Sequence, residues 1–361
     1  MRADSSPSYM AISIKDLARM AGVSHSTVSR ALRNSPLIPQ TTSIRIQQLA
    51  KEHGYTASAI ARSLVTQKTQ AVGVVVTTIA DPFNGELLSG IEETAKRHGY
   101  SVILANSQAD PSREVEVVRS FQERRVDGIL VASSRVGAQY NALLADLGIP
   151  IVLLNNQHPD AFVYSITIDN IDGAYRATRH LIDLGHERIA YIGDRFGLQS
   201  DAQRLQGFRN ALRRAGIAID PELVFEGDGK PAAGAEIAGR LLSMKRPPAA
   251  IFCYNDMTAL GVLEQARRRR ISVPGQVSVV GFDDLFFAAL LNPPLTTVRQ
   301  PRELLGRRGM EMLAALLSNE PVPQPATIKG TLIVRESTGP PSATNRSQTG
   351  RMRRPGRGSK A

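Results

Sequence analysis

The stretch SIKDLARMAGVSHSTVSRALRN, residues 13–34, decides the organisation of this chain. Apolar residues recur in it at helical spacing, first over residues 14–21 and again over residues 28–32. Gly22 lies between the two runs and can adopt the left-handed conformation that ends a helix, and Ser24 is suited to cap the next helix. Two short helices joined by a tight glycine turn form a helix-turn-helix, which we therefore predict here.

The polar side of the second predicted helix is typical of DNA recognition. The start of a recognition helix enters the major groove, so we expect His25 and Ser26 to meet base edges. Arg30 comes one turn later and can fork onto a guanine or grip a phosphate. Short hydroxyl groups suited to phosphate oxygens surround these residues, at Ser24, Thr27 and Ser29. An ordinary surface helix with a face rich in Ser and Thr is the alternative.

The positive charge of the chain is concentrated at its two ends. Of the net charge of +11, residues 1–67 carry +5 and residues 340–361 carry +6, so the middle of the chain is neutral. A neutral body with two basic ends indicates a head and a tail that bind an anion such as DNA. The alternative, for the tail above all, is that basic ends only aid solubility.

A small, polar run follows the head. A third helical pattern ends at Tyr55, and ASAIARSL occupies residues 57–64. This composition indicates a linker or a weak hinge helix. A short helix that presents Leu64, with Arg62 beside it, can enter the minor groove, where the leucine wedges between base steps and kinks the duplex. A solvated linker between domains is the alternative.

Beyond residue 70, short β-rich apolar runs alternate with amphipathic helical segments. The predicted strands lie at 71–79, 101–107, 127–133, 149–156, 188–194, 249–256 and 277–284. This alternation predicts parallel sheets with helices on both faces, and the units are too many for one sheet of typical size. From Gly339 onward the chain has almost no apolar residues, which predicts disorder.

Taken together, these motifs resemble the lactose-repressor (LacI) family of bacterial regulators. The similarity begins with SIKDLARMAGVSHSTVSRALRNSPLI at 13–38, passes through LAKEHGYTASAIARSL at 49–64 and AVGVVV at 71–76, and extends to about residue 337. It includes DPF (81–83), DGILV (127–131), IPIVLLNN (149–156), LGHERIAYIG (184–193), RLQGF (204–208), YNDMTALG (254–261), VSVVGFDD (277–284) and PPLTTVRQP (293–301). The combination is highly specific, although each piece alone is not.

The resemblance implies an N-terminal all-α helix-turn-helix head and an α/β body of two doubly wound parallel-sheet subdomains, like those of periplasmic binding proteins. The boundaries that we predict are 1–10 for a disordered start, 11–56 for the head, 57–68 for the hinge, 69–337 for an effector-binding and dimerisation domain, and 338–361 for a disordered basic tail. Within the body, the N-subdomain is expected at about 69–168 and 295–326, and the C-subdomain at about 169–292 and 327–337.

For the DNA contacts, the resemblance places His25, Ser26 and Arg30 at base-reading positions, Arg62 at the hinge-helix arginine and Leu64 at the intercalating leucine. The hinge departs from the family pattern, because Ala57-Ser58 stands where Pro-Asn is usual and a proline pre-organises a helix start. Pro39 also stands where a serine often caps the third helix, which removes one expected phosphate contact.

For the body, the resemblance implies a cleft that closes on a small polar effector. Its expected lining is Phe83, Asn155, Arg204, Asn255 and Asp283, with the Arg204 fork binding sugar hydroxyls or a carboxylate. Gly229 occupies the place of an aromatic that stacks on the ligand in many relatives, and Phe196 is a candidate to substitute for it. The effector stays open between a hexose, a pentose, a sugar acid and a phosphorylated sugar. A turn or cap role is the alternative for each residue.

Other classes of protein receive little support. GxGxxG and GxxxxGK[ST] do not occur, the six His residues show no metal-ligand spacing, and Cys253 lies in an apolar run, so we expect no enzyme, cofactor or metal. One cysteine, no secretory signal and no membrane-length apolar run indicate a cytoplasmic protein rather than an extracytoplasmic solute-binding protein. A general nucleoid protein is a further alternative. One small head buries too little surface for tight binding, so we expect a homodimer on a pseudo-palindromic operator.

Overall fold

The computed structural model describes residues 12–55, 68–136, 148–157, 164–324 and 326–342, which fall into two compact units divided after Thr69. The start of the chain, the hinge with Arg62 and Leu64, and the Arg-rich part of the tail lie outside the described residues. No helix in the described ranges is both long enough and apolar enough to cross a membrane.

The N-terminal unit is a three-helix head built around the predicted helix-turn-helix. Its helices are α1 (Ile14–Ala21), α2 (His25–Leu32) and α3 (Gln40–Glu52). Ser13 begins a capping box at the start of α1, and Gly22 ends that helix with a left-handed φ of 64°. Leu17, Val28 and Ile46 come one from each helix and are fully buried, so the three helices share one small core.

The first lobe of the body is a six-stranded parallel sheet covered on both faces. Its strands are β1 (Ala71–Val76), β2 (Ser101–Asn106), β3 (Gly128–Ala132), β4 (Ile151–Leu154), β5 (Ser165–Ile168) and β11 (Ala326–Ile328), and its helices are α4 (Phe83–Arg97), α5 (Pro111–Glu123) and α10 (Arg302–Ser318). The strand order is β11-β5-β4-β3-β1-β2. Along β1, Val72, Val74 and Val76 pack with α4 and α10, whereas Val75 packs with α5, so each face carries its own core.

The second lobe repeats this architecture on a smaller sheet. Its strands are β6 (Ile189–Asp194), β7 (Val224–Gly227), β8 (Ala250–Cys253) and β9 (Ser278–Val280), and its helices are α6 (Asn170–Asp183), α7 (Gln199–Arg214), α8 (Pro231–Leu241) and α9 (Asp256–Arg268). The parallel order is β7-β6-β8-β9. A short antiparallel ribbon completes the body, formed by β10 (Thr297–Arg299) and β12 (Thr331–Ile333). The predicted fold class, a helical head on two doubly wound parallel lobes, is confirmed.

The chain passes between the lobes at three places in the described residues, and two of them lie beyond the predicted boundaries. The expected change of lobe near residue 295 comes later, because Val298 of β10 packs into the core of the second lobe and the passage follows Arg299. The expected change at residue 326 also comes later, because Ile328 still pairs with Ile168 of β5 in the first lobe. The first passage joins β5 to α6, near residue 168.

The predicted start of tail disorder at residue 338 is wrong. Thr338 Oγ1 lies 2.9 Å from His180 Nε2, and the carbonyl of Gly339 lies 2.8 Å from His186 Nε2. Ser278 closes the arrangement, because its hydroxyl donates to the Gly339 carbonyl at 3.0 Å and accepts from the Gly339 amide at 3.1 Å. Hydrogen bonds of second-lobe side chains with Thr338 and with the backbone of Gly339 therefore hold a segment that has almost no apolar side chains of its own.

Six elements of the body and one strand end differ from the sequence pattern. No strand is predicted at β5, β7, β10, β11 or β12 and no helix at α10, since these segments are short or interrupted by glycines. The predicted strand over 277–284 ends at Val280 instead, because Asp283 and Asp284 adopt positive φ angles of 117° and 54° that no regular strand permits.

The glycines of α10 explain its close packing. A methyl group at Gly306 would overlap the backbone of α4 at Leu87, and one at Gly90 would overlap the backbone of α10 at Glu303. Glycine lowers helix propensity, but here it lets the two helix backbones approach each other. The same residues that obscure α10 in the sequence therefore fix its place against the first sheet.

Gly306→Ala should therefore lower the free energy of unfolding of the body by about 1–3 kcal/mol, because α4 and α10 must separate to admit the methyl group. Gly85→Ala is the matched control on α4, since nothing lies within 4 Å of the added carbon. That control should leave stability unchanged or raise it by up to about 1 kcal/mol. Urea unfolding followed by circular dichroism measures both, and equal values for the two variants would refute the packing argument.

Candidate DNA interface and ligand cleft

The head presents the predicted recognition residues on its surface. His25, Ser26 and Arg30 are exposed on α2. Ser24 is the N-cap of α2, with its hydroxyl accepting from the Thr27 amide at 3.1 Å. The Ser24 hydroxyl also lies 2.8 Å from that of Ser26 and 2.9 Å from that of Thr27, so three short hydroxyls cluster where the helix begins. This arrangement can offer donors to DNA phosphates beside the base-reading positions.

Helix α3 bonds to both other helices of the head, although its own N-terminus has no side-chain cap. Pro39 precedes α3 and provides no side-chain hydrogen bond, as the sequence indicates. Two side chains of α3 instead reach the other helices. Arg45 Nη2 donates to the carbonyl of Ala21 at 2.6 Å, and Gln47 Nε2 donates to the carbonyl of Ala31 at 3.2 Å and to Asn34 Oδ1 at 2.7 Å. The bonds to Ala21 and Ala31 satisfy carbonyl groups near helix C-termini.

The body contains a cleft of about 810 Å³ between its two lobes. Its described lining consists of strand ends, of the loops that follow them and of the helices that these loops enter, at the carboxyl ends of the parallel strands, where ligands bind in open α/β sheets. The six predicted effector residues all line this cleft: Phe83, Asn155, Phe196, Arg204, Asn255 and Asp283. Sequence positions up to two hundred residues apart are thereby brought to one cavity.

Arg204 is nearly buried and already bonded within the protein. It is 3% exposed, with Nε donating to Asn170 Oδ1 at 3.0 Å and Nη1 donating to the carbonyl of Tyr254 at 2.5 Å. Its guanidinium carbon lies 3.8 Å from the ring centre of Phe282, and Nη2 lies 3.7 Å from Asp283 Oδ1. A bidentate clamp through Nε and Nη2 would have to break the bond to Asn170, and Nη2, which makes only the longer contact with Asp283, is the nitrogen best placed for a ligand.

Asp283 is a buried carboxylate that lines the cleft. Burial raises the pKa of Asp283 to about 6, against the opposing pull of the Arg204 and Arg302 guanidinium groups and with a further rise from the nearby charge of Asp81. Gln300 Nε2 donates to Asp283 Oδ1 at 2.5 Å, whereas Gln300 Oε1 is buried without a hydrogen-bond partner among the described residues. Burial likewise raises the pKa of Asp81, which lines the cleft from the first lobe.

Arg302, on α10 of the first lobe, secures the loop that carries Asp283. Its Nη1 donates to the carbonyl of Asp283, and its Nη2 donates to the carbonyl of Asp284 at 3.1 Å and to Glu86 Oε1 at 2.6 Å. The carboxylate of Asp284 is held separately, by Arg299 at 2.6 Å and Arg335 at 2.7 Å. Two adjacent carboxylates with positive φ angles are therefore stabilised by guanidinium groups at the junction of the lobes.

The two asparagines have structural bonds that compete with ligand contacts. Asn255 is the N-cap of α9, with Oδ1 accepting from the Thr258 amide at 2.8 Å and Nδ2 donating to the Gly229 carbonyl at 3.0 Å. The alternative role of a cap thus describes Asn255 in this structure. Asn155 is 7% exposed, has a φ of 54° and accepts from the Ile168 amide at 3.3 Å.

Phe196 stands at the mouth of the cleft between two cations. It is 50% exposed, and the guanidinium carbons of Arg135 and Arg195 lie over its ring at 5.4 and 5.3 Å from the centroid. Arg135 belongs to the first lobe and Phe196 to the second, so this cation–π contact joins the lobes. The guanidinium groups compete for the ring faces on which a sugar would stack.

Gln157 is a cleft residue that the sequence pattern does not single out. The start of α7 has no side-chain cap of its own. Gln157, which follows β4 in the first lobe, supplies the cap from across the cleft: its carbonyl accepts from the Gln199 amide and its Oε1 accepts from the Ser200 amide, both at 3.1 Å. The sequence pattern does not single out four other residues of the cleft, namely Gln300, Asp81, Arg135 and Tyr254. Each of them follows a strand, which is the one signal that the sequence offered. Many turn residues share that position, so the signal could not identify these four.

Comparison with known proteins finds a matching family model for each of the two units, the head and the body. Residues 13–58 match the family model of bacterial regulatory proteins of the lacI family, and residues 178–338 match that of the periplasmic binding protein-like domain. The HTH-type transcriptional regulator RegA of Clostridium saccharobutylicum is 37% identical over 331 residues, which cover 91% of this chain and all of that protein.

Solved structures match over the same extent. The lac repressor dimer bound to operator and the anti-inducer ONPF has a TM-score of 0.84 at 26% identity, covering 91% of this chain and 99% of that one. The complex of the transcriptional regulator CelR with cellobiose has a TM-score of 0.69 at 30% identity, covering 90% and 99%.

A helix-turn-helix head followed by a periplasmic-binding-protein-like body defines a class of DNA-binding transcriptional regulators. This chain belongs to the LacI family of that class. The family resemblance expected from the sequence is confirmed, and the protein is a transcriptional regulator rather than an enzyme.

Asp283→Asn should lower the stability of the body strongly, by about 3 kcal/mol, because it leaves the buried Arg204 guanidinium without its counter-charge. Asp183→Asn is the control, since Asp183 forms an exposed pair with Arg179 that contributes less than about 1 kcal/mol. Chemical unfolding of both variants measures the difference. A loss at position 283 no larger than at position 183 would show that the buried pair does not stabilise the lobe junction.

Proposed function

We propose that this protein binds a pseudo-palindromic operator as a homodimer, and that a small polar metabolite, a sugar or sugar derivative, switches its operator affinity from the cleft. Repression is the family default for the sign of regulation. The observation that carries the proposal is the cleft itself, because two lobes of one body present buried polar groups to a common cavity. A cavity of about 810 Å³ is of a size that takes small ligands.

The operator part of the proposal rests on the head. His25, Ser26 and Arg30 would read base edges in the major groove, and Leu64 with Arg62 would enter the minor groove. A single head of this size offers too little contact for tight and specific binding, which favours two heads on two half-sites. The similar lac repressor structure, described as a dimer bound to operator, supports this arrangement.

The effector part of the proposal rests on the chemistry of the cleft floor. Asp81, Asp283 and Gln300 Oε1 offer hydrogen-bond acceptors, whereas two nitrogens of Arg204 are already bonded within the protein. Vicinal hydroxyl groups donate to such acceptors and can accept from the remaining Arg204 nitrogen. A carboxylate or phosphate would instead meet like charges. We therefore favour an uncharged polyhydroxyl group at this end, and the similar regulator solved with cellobiose is consistent with that choice.

The switch would follow from ligand contacts to both lobes. A ligand that bridges Asp81 of the first lobe and Asp283 of the second stabilises one separation of the lobes over another, and this differential affinity is what can shift an equilibrium. The change would reach the head through residues 57–68, the only covalent connection between them. Because Ala57-Ser58 replaces the usual Pro-Asn, the hinge would depend on DNA to become helical.

The operator is tested by selection from a pool of randomised DNA duplexes with the full-length protein. The expected result is an enriched inverted repeat, because two identical heads related by a two-fold axis impose that symmetry. His25→Ala should relax the preference within each half-site and leave the spacing of the half-sites unchanged. Enrichment of no sequence, as a general nucleoid protein would give, contradicts operator binding.

The effector is tested by titrating a panel of hexoses, pentoses and their acid and phosphate derivatives into complexes with the selected operator. We expect a neutral member to change operator affinity by roughly fivefold or more, the usual range of allosteric coupling. The same member should raise the melting temperature of the protein alone. If no compound changes either quantity, a sugar-type effector is contradicted.

The tail offers a separate prediction. Deleting residues 343–361 removes six positive charges and keeps the segment through Ser342 that packs on the body. The truncated chain should show a shallower dependence of DNA affinity on salt, because fewer counterions are released, while its preference for operator over random DNA is spared. Fluorescence anisotropy with both duplexes measures this, and an unchanged salt slope would refute a DNA-binding role for the tail.

A further inference from the structure

The exposed face of α2 is more extensive than the base-reading positions require. At 3.6 residues per turn, Ser26, Ser29, Arg30 and Arg33 fall within an arc of about 100°. Val28 and the rest of the apolar side lie opposite, in the core of the head. Arg33 is therefore aligned with the recognition residues although it comes at the C-terminal end of the helix, where it is exposed.

The side chain of Arg33 is held in one orientation by Ser29. Its Nε donates to the Ser29 carbonyl and its Nη2 donates to Ser29 Oγ, each at 3.1 Å. These bonds leave three of the five guanidinium N–H donors without a partner in the described head. The Ser29 hydroxyl accepts the bond from Arg33 and keeps its own hydrogen to donate.

The guanidinium group with its remaining donors lies next to the Ser29 hydroxyl, because Nη2 is 3.1 Å from Ser29 Oγ. A planar guanidinium edge and an adjacent hydroxyl match the oxygens of a phosphodiester, which accepts several hydrogen bonds at once. Holding the long arginine side chain in advance also reduces the conformational entropy that binding would otherwise cost. Ser29 alone, as expected from the sequence, offers a single hydroxyl, whereas the pair offers a fork and a positive charge.

We propose that Ser29 and Arg33 form a preorganised clamp for one DNA backbone phosphate, with Arg33 supplying the charge and Ser29 both touching the phosphate and positioning Arg33. The clamp rests on the proposed docking of α2 in the major groove. Its partner is a phosphodiester group, so it strengthens binding to any sequence and adds nothing to base discrimination.

A purely structural role for Arg33 is the competing explanation. The amide of Arg33 donates to the carbonyl of Arg30 at 3.1 Å and not to that of Ser29. The Ser29 carbonyl, near the end of the helix, instead accepts a hydrogen bond from the side chain of Arg33. A cation at a helix C-terminus stabilises it in any case. Loss of such a cap would lower the melting temperature of the head but would not change how DNA affinity depends on salt.

The test measures binding of the full-length protein to a fluorescein-labelled duplex of random sequence between about 50 and 200 mM salt. Arg33→Ala should reduce the slope of log affinity against log salt by about 0.9, the value for one lost phosphate contact. Arg33→Lys should keep the slope and weaken binding severalfold, because the charge remains and the fork is lost. Ser29→Ala should weaken binding at unchanged slope, and Ser29→Thr should restore it.

Arg213→Ala is the charge-matched control, since Arg213 lies on α7 of the body and has only a weak bond to Asn210 at 3.3 Å. It should leave the slope as in the unmodified protein. A slope for Arg33→Ala equal to that of Arg213→Ala overturns the clamp, whatever happens to the melting temperature. Failure of the unmodified protein to bind DNA would overturn the proposed function instead, so the two failures are distinguishable.

Discussion

The buried carboxylate of Asp283 is the constraint on which the body depends. A charge removed from water must be paired and hydrogen-bonded, and the Asp283 carboxylate is met by Arg204 from α7 and Gln300 from the crossing segment. Arg302 from α10 donates to the backbone carbonyl of the same residue. These partners come from both lobes and from the chain that joins them. Satisfying this one buried aspartate therefore fixes the loop after β9, the start of α10 and the guanidinium that faces the cleft.

The pairing of Asp283 also determines which polar groups of the cleft remain available to a ligand. Because most of the Arg204 and Arg302 nitrogens are used in internal bonds, the groups left over at the floor are mainly acceptors, namely Asp81, Asp283 and Gln300 Oε1. Two further contacts cross the cleft nearer its mouth: Gln157 caps α7, and Arg135 lies over Phe196. Each is a modest polar contact that a change in lobe separation would make or break, which suits the proposed switch between two arrangements of similar free energy.

The sequence predicted the large features because they depend on repeating patterns. Helical periodicity and Gly22 located the head, and buried apolar runs such as that of β1 located the parallel sheets. The sequence missed α10, whose interior glycines lower helix propensity yet allow contact with α4, and β7, which is a short edge strand with little buried surface. Side-chain pairing between distant parts of the chain could not be predicted from the sequence either. The sequence therefore placed Arg204 and Asp283 in one cleft, but it did not show that the two residues contact each other.

In the proposed switch, the cleft and the head share one equilibrium. Thermodynamic linkage then requires reciprocity: if an effector changes operator affinity by some factor, operator must change effector affinity by the same factor. Calorimetric titration of the effector into the protein, with and without saturating operator duplex, measures this directly. Equal factors in the two directions are the predicted result. An effector affinity that is the same with and without operator would contradict the claim.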